Sequence, residues 1–159
     1  MSLYDWLLFL HVTAAFALVG SLALFTAVGI ALWSVDRPGP VALLFRIDRP
    51  ANVGIGVGMI GTLVFGIWLA IDVDGYQLWD GWILAALVLW AVGGAAGGRT
   101  GKYYTAARKL AERQVAEGRG GPSPELAAIL RSRRGLVLHA VTVAAALAIL
   151  VLMIFKPGA

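Results

Sequence analysis

The chain has 159 residues, 60% of them hydrophobic and 14% charged, with a mean hydropathy of +0.83. Soluble domains run at about 45–50% apolar and about 25% charged, so this composition excludes an ordinary water-soluble domain and predicts a membrane protein of about four spans with short loops. The net charge of +4 comes from basic residues clustered beside apolar stretches, which orients spans and excludes nucleic acid as the partner; the lack of cysteine excludes disulfides, thiolate metal sites and iron–sulfur clusters.

The first span is expected over about residues 6–33. From Trp6 to Trp33 there is no Asp, Glu, Lys or Arg, and the only ionisable side chain is His11. A helix of that length crosses a hydrocarbon layer of about 30 Å with some tilt. A titratable group inside a span is costly to keep and is a functional candidate for that reason. Ala14, Ala17, Gly20 and Ser21 recur at helical spacing, the pattern that lets helix backbones approach in lipid. The opening MSLYDW has no Lys or Arg, so no cleaved signal peptide is expected there.

Residues 34–50 form the first connection, with Pro38-Gly39-Pro40 as a break, VALLFRI as a short amphipathic piece at the interface, and Arg37, Arg46 and Arg49. The second span is expected over about 51–71. Its Gly56-Val-Gly58-Met-Ile-Gly61 matches a dinucleotide fingerprint literally, but that fingerprint needs a strand before it, and here it lies inside an apolar helical run. Gly54, Gly58 and Gly61 are read as a packing face instead. Residues 72–81 form an acidic turn, with Asp74-Gly75 at its tip and Tyr76, Trp79 and Trp82 as an interfacial aromatic belt.

The third span is expected over about 82–98, with Gly93 and Gly97 as a second packing face. The following RTGKYY lacks the first glycine and the Ser/Thr of a phosphate loop. Residues 99–134 carry nine Lys/Arg against three Glu and read as a solvated helical hairpin: a helix continuing from span 3, a GRGGPS break, and a helix capped by Ser123 with Pro124 and Glu125 in its first turn. The fourth span is expected over about 136–155. The connections after spans 1 and 3 carry three and nine basic residues, while the N-terminus and the second connection carry none and the C-terminus one. The positive-inside rule then puts both termini outside and the hairpin in the cytoplasm.

Chemistry-bearing residues are few. His11 lies near the outer boundary and His139 near the inner one, so their depths differ by roughly 15–20 Å and they cannot share one metal or one haem iron. His11 has three readings: a packing residue hydrogen-bonded to a neighbouring helix, a haem or metal ligand, or a proton-relay or substrate-contacting group. His139 is expected to reach water or headgroups beside the Arg131–Arg134 cluster. Asp5, Asp72, Asp74 and Asp80 share the outer face and could hold a divalent cation weakly. No serine sits in a nucleophile elbow.

Two stretches resemble a known family. The opening LLFLHVTAAFALVG and the close PELAAILRSRRGLVLHAVTVAAALAILVLMIFKP look like the bacterial four-helix membrane family catalogued as domain of unknown function 2269. That resemblance implies a small polytopic protein of the bacterial inner membrane and carries no activity. Leu10-His11-Val12-x-Ala14-Ala15 followed by Gly20 is similar to the first span of the haem-dependent protoporphyrinogen oxidases and the copper-resistance membrane domains. That likeness implies a haem or metal ligand at His11.

The expected fold is therefore an all-α integral membrane four-helix antiparallel bundle in one domain, residues 1–159, N-out and C-out, with a cytoplasmic hairpin projecting between spans 3 and 4. Two functions stay open. One is a non-catalytic accessory or binding subunit that docks on a membrane-protein partner or a second copy. The other is a haem-b-binding redox or haem-handling protein with His11 as axial ligand.

Overall fold

The computed structural model describes residues 2–73 and 76–158. Among the described residues the chain is helical throughout: α1 (Leu3–Trp33), α2 (Pro38–Ile47), α3 (Arg49–Asp72), α4 (Gly81–Ala116), α5 (Pro124–Leu130) and α6 (Arg133–Phe155). Four helical stretches are long and apolar enough to cross a membrane: α1, α2 running into α3, α4, and α5 running into α6. The Asp74-Gly75 turn lies outside the described residues.

The helix starts follow from local chemistry. α1 begins earlier than expected because Ser2 and Asp5 form a reciprocal capping box: Asp5 N donates to Ser2 Oγ (3.2 Å) and Ser2 N donates to Asp5 Oδ2 (2.7 Å). Asp5 is thus engaged in the cap. At α5 the expected cap is present, with Leu126 N donating to Ser123 Oγ at 3.3 Å and Pro124 in the first turn.

The spans pack as two tight pairs. α1 and α3 run antiparallel, since Gly54 meets Ser21, Gly58 meets Ala14 and Leu18, and Gly66 meets His11. A Cβ on Gly58 would lie 2.6 Å from Leu18 N, and one on Gly61 2.8 Å from Ala14 Cβ, so the bare backbone of α3 sets the approach. In the second pair, a Cβ on Gly93 would meet Ala145 Cβ at 3.1 Å, and one on Gly97 would meet Thr142 Cγ2 at 3.4 Å. Thr142 Oγ1 also reaches Gly93 O at 3.3 Å. Between the pairs the contacts are made by side-chain tips: Met59 lies against Gly94, and Trp90 Nε1 donates to Met59 O at 3.2 Å.

One expectation needs correction at the basic end. The helix expected to continue from span 3 does so without a break, and α4 is one helix of 36 residues. Its extension is not a solvated arm, however, nor does the hairpin project. Ala107, Leu110 and Ala111 are buried with Leu126 of α5, Val41 and Phe45 of α2, and Val28 and Leu32 of α1. The physical reason is that lipid covers apolar side chains inside the bilayer, whereas beyond it water drives them together. The loop between α4 and α5 is tied in by Gln114 Nε2 donating to Ser123 Oγ (3.0 Å) and Ser123 N donating to Asp36 O (2.9 Å). VALLFRI is therefore one wall of a small core.

At the opposite end Trp82 is core, not belt. It is buried with Ala70 and Ile83 and meets Tyr76 edge-on at 5.5 Å, while Trp79 stays exposed. Lys156, in a left-handed conformation (φ 40°), lays its ammonium 4.8 Å from the Tyr76 ring centre and donates to the Tyr76 hydroxyl at 2.8 Å.

Candidate functional site

His11 lies between α1 and α3. A Cβ on Gly66 would stand 2.9 Å from its Cε1 and 3.1 Å from its Nδ1, so the imidazole rests on the bare backbone of α3. Its Nδ1 is buried without a hydrogen-bond partner. The glycine makes the room that the ring occupies.

His139 is placed differently from the expectation. It does not reach out to headgroups beside the arginines; it turns inward and lines a cavity of about 240 Å³ together with Thr26, Gly29, Tyr104 and Gly135. α1, α4, α5 and α6 all contribute walls, and Ile30, Trp33 and Leu136 form an exposed rim on the α1 and α6 sides. The sequence reading missed this because His139 stands only six residues after Arg133, where α6 begins. Tyr103 and Tyr104 on the extension of α4, with Ile129 and Leu130 of α5, line the side of the cavity that His139 faces, while Leu136 and Val137 of the same turns stay exposed.

The hydrogen bonds around His139 assign its tautomer. Thr26 Oγ1 lies 2.7 Å from Leu22 O and 3.0 Å from His139 Nε2. A carbonyl oxygen can only accept, so the single hydroxyl proton goes to Leu22 O. Thr26 Oγ1 must then accept from His139 Nε2–H, which leaves Nδ1 with the lone pair. The ring is also held by Phe25, at 5.5 Å between centres, and Phe25 packs edge-on against Tyr104 at 4.9 Å. No Asp, Glu, Lys or Arg is among the cavity-lining residues.

A buried carboxylate that the sequence reading passed over lies nearby. Asp48, at the elbow between α2 and α3, is 2% exposed. Asn52 Nδ2 donates to its Oδ2 at 2.7 Å, while Oδ1 has no partner. Asp48 and Tyr104 lie outside the apolar spans of about 51–71 and 82–98. Burial pushes the Asp48 carboxyl above its ordinary value, and the Asn52 hydrogen bond opposes that. Burial, then the Asp48 charge, pushes the Tyr104 phenol up. The Asp48-x-x-x-Asn52 spacing, with Phe45 one turn and Val41 two turns back on the same face, was the available signal.

His11 and Thr26, the α1 partner of His139, are fifteen residues apart, about 22 Å along the helix, so the two histidines serve different ends of the bundle. No group of three or more His, Cys, Asp or Glu able to hold a metal occurs among the described residues, and Asp74 of the acidic rim lies outside them. Asp80 Oδ2 instead accepts from Gln77 N at 3.0 Å within its own turn. A family model described as "Predicted integral membrane protein (DUF2269)" matches residues 5–157. No curated protein and no solved structure matches the chain.

Proposed function

We propose that this chain, which belongs to the DUF2269 family of predicted integral membrane proteins, is a non-catalytic binding subunit of the membrane whose site is the cavity between α1, α4, α5 and α6. The observation that carries this reading is the Thr26–His139 pair. Two polar groups from different helices hold each other inside an apolar wall, next to Gly135, whose missing side chain leaves space unfilled. Pockets for small molecules combine apolar walls with a few fixed polar groups in this way. A lone imidazole with no carboxylate among the lining residues, beside a threonine whose proton is committed to Leu22 O, supports binding rather than turnover.

By the positive-inside rule the arginine-rich end, with Arg131, Arg133 and Arg134 beside the cavity, faces the cytoplasm of a bacterial inner membrane, and both termini face outward. A ligand then enters from the inner leaflet across the exposed rim of Ile30, Trp33 and Leu136. Docking on a membrane-protein partner or a second copy is compatible with this site, because the cavity lies on the seam between the helix pairs. The packing of His11 on Gly66 supports a structural role there.

The test is native mass spectrometry of the protein released from membranes without delipidation. The expected result is a one-to-one small-molecule adduct that Gly135→Leu loses. The nearest atoms to a Cβ at Gly135 are 3.9 Å away, on Ser132 and Tyr103, so the leucine has room to fill the cavity. An adduct unaffected by this variant, or none at all, would sink the reading.

A further inference from the structure

We infer that the cavity takes a membrane-dissolved phenol or quinol, an uncharged aromatic ring whose hydroxyl donates to His139 and whose apolar tail leaves toward the lipid. This rests on the proposed binding role and adds the class of ligand. The wall gives the uncharged ring: no charged side chain lines the cavity, and Trp33, Tyr103 and Tyr104 supply aromatic surface for a flat body. A charged head buried here would lack the counter-charge that burial demands.

The hydrogen-bond pattern gives the donor. Because the Thr26 proton is committed to Leu22 O, His139 spends its Nε2–H on Thr26 and offers a lone pair at Nδ1. The imidazole is fixed in that state from two sides, by Thr26 and by Phe25. An acceptor held in place selects a ligand that donates, and a site built to hydrogen-bond a hydroxyl rejects the analogue that lacks it. The Tyr104 hydroxyl lies over Gly29, where a Cβ would stand 2.8 Å from it, and adds a second polar group on the same wall. The exposed rim on the α1 and α6 sides gives the exit for the tail. An aliphatic acid fits less well, because its tail would end against the Thr26–His139 pair and its charge would sit among apolar residues.

The experiment uses three redox-inert probes of one length: 4-decylphenol, which donates and accepts; 4-decylanisole, which only accepts; and decylbenzene, which does neither. Each is titrated against the full chain in detergent micelles, with the one-to-one complex counted by native mass spectrometry. The wild type is expected to bind the phenol at least about tenfold more tightly than the anisole, the value of one well-placed hydrogen bond. His139→Phe, which keeps a ring and removes the acceptor, is expected to bind phenol and anisole alike. Equal binding of phenol and anisole by the wild type would overturn the donor assignment. If Gly135→Leu still abolished both complexes, the cavity would stand as a binding site for another ligand class. If no probe formed a saturable complex, the phenol proposal would fall, and the adduct measurement on membrane-released protein would decide separately whether the cavity binds anything.

Discussion

Gly56 and Gly58 stand two residues apart on α3, yet alanine is expected to act on them with opposite sign. At Gly58 the new Cβ would lie 2.6 Å from Leu18 N and 2.8 Å from both Ala14 O and Leu18 Cα. Comfortable contact begins near ~3.5 Å, so α1 and α3 must part locally by close to ~1 Å. The obstacle is main chain, which has no rotamer to yield. Overpacking of this kind costs about 1–3 kcal/mol and at times more, against about 1 kcal/mol gained because alanine favours a helix interior over glycine. At Gly56 nothing lies within 4 Å of the new Cβ, so only the gain remains, up to about 1 kcal/mol. The helix-propensity gain is common to both, so the pair should differ by the overpacking cost, about 1–3 kcal/mol, or roughly 2–12 °C in thermal midpoint for a chain of this size. Reversible unfolding in mixed micelles, with each variant beside the wild type, reads that difference directly. Gly58→Ala as stable as Gly56→Ala would mean that α1 and α3 are not packed backbone to backbone, and the two-pair architecture would be wrong.

Other substitutions probe the polar groups. His11→Leu replaces an imidazole with an orphaned Nδ1 by an apolar side chain of similar size; stability should hold or rise by up to about 1 kcal/mol, and the visible spectrum should not change, whereas loss of a Soret band would make His11 a haem ligand. Asp48→Asn should be more stable than the wild type near neutral pH. The folded chain keeps the Asp48 proton to higher pH than the unfolded chain, whose carboxyl titrates near the ordinary 3.8. Wild-type stability should thus rise as pH falls from neutral through the raised value, and the asparagine variant should lack that component; parallel pH profiles for the two would refute the burial cost. Lys156→Met removes both the 2.8 Å hydrogen bond to Tyr76 and the cation resting on its ring. A loss of about 1 kcal/mol is expected, checked by the same unfolding assay together with Tyr76→Phe, which should lose only the hydrogen-bond part.

The four spans were legible because each is a long apolar run, and no tertiary context reverses that signal. The glycines at Gly54, Gly58, Gly61, Gly93 and Gly97 could be read as packing positions from spacing alone, although spacing does not say which helix each one meets. The end cap was not legible. VALLFRI and RKLAERQVAEG each look like surface helices, and only the fold shows that Val41, Phe45, Ala107 and Leu110 complete one another's burial. His139 was misread for a related reason. Its distance from the arginines is short along the chain, but α5 and the extension of α4 cover that side, so nearness to charge in sequence did not mean exposure. Asp48 was passed over between Arg46 and Arg49, both of which point outward while it points in.

Two kinds of glycine explain where the cavity opens. Gly54, Gly58 and Gly93 are empty so that a neighbouring helix can occupy the space, and atoms of that neighbour stand where each Cβ would be. Gly135 is empty with nothing closer than 3.9 Å, and it lines the cavity with Gly29, whose missing side chain admits only the tip of Tyr104. Within each pair, bare glycines let the helices close on each other. Between the pairs the separation is set by long side chains, and space opens wherever their tips do not meet. At mid-depth Met59 and Trp90 fill the seam. Toward the arginine-rich end the seam is bounded by Gly29 on α1 and Gly135 on α6, so it stays open, with Thr26 and His139 joining the two pairs at its floor. Filling Gly135 should therefore tighten the seam while leaving both pairs intact, whereas filling Gly58 should part α1 and α3 locally and leave the cavity residues in place. The opposite outcome, a cavity lost with Gly58→Ala and kept with Gly135→Leu, would mean that the void belongs to the pairs rather than to the seam between them.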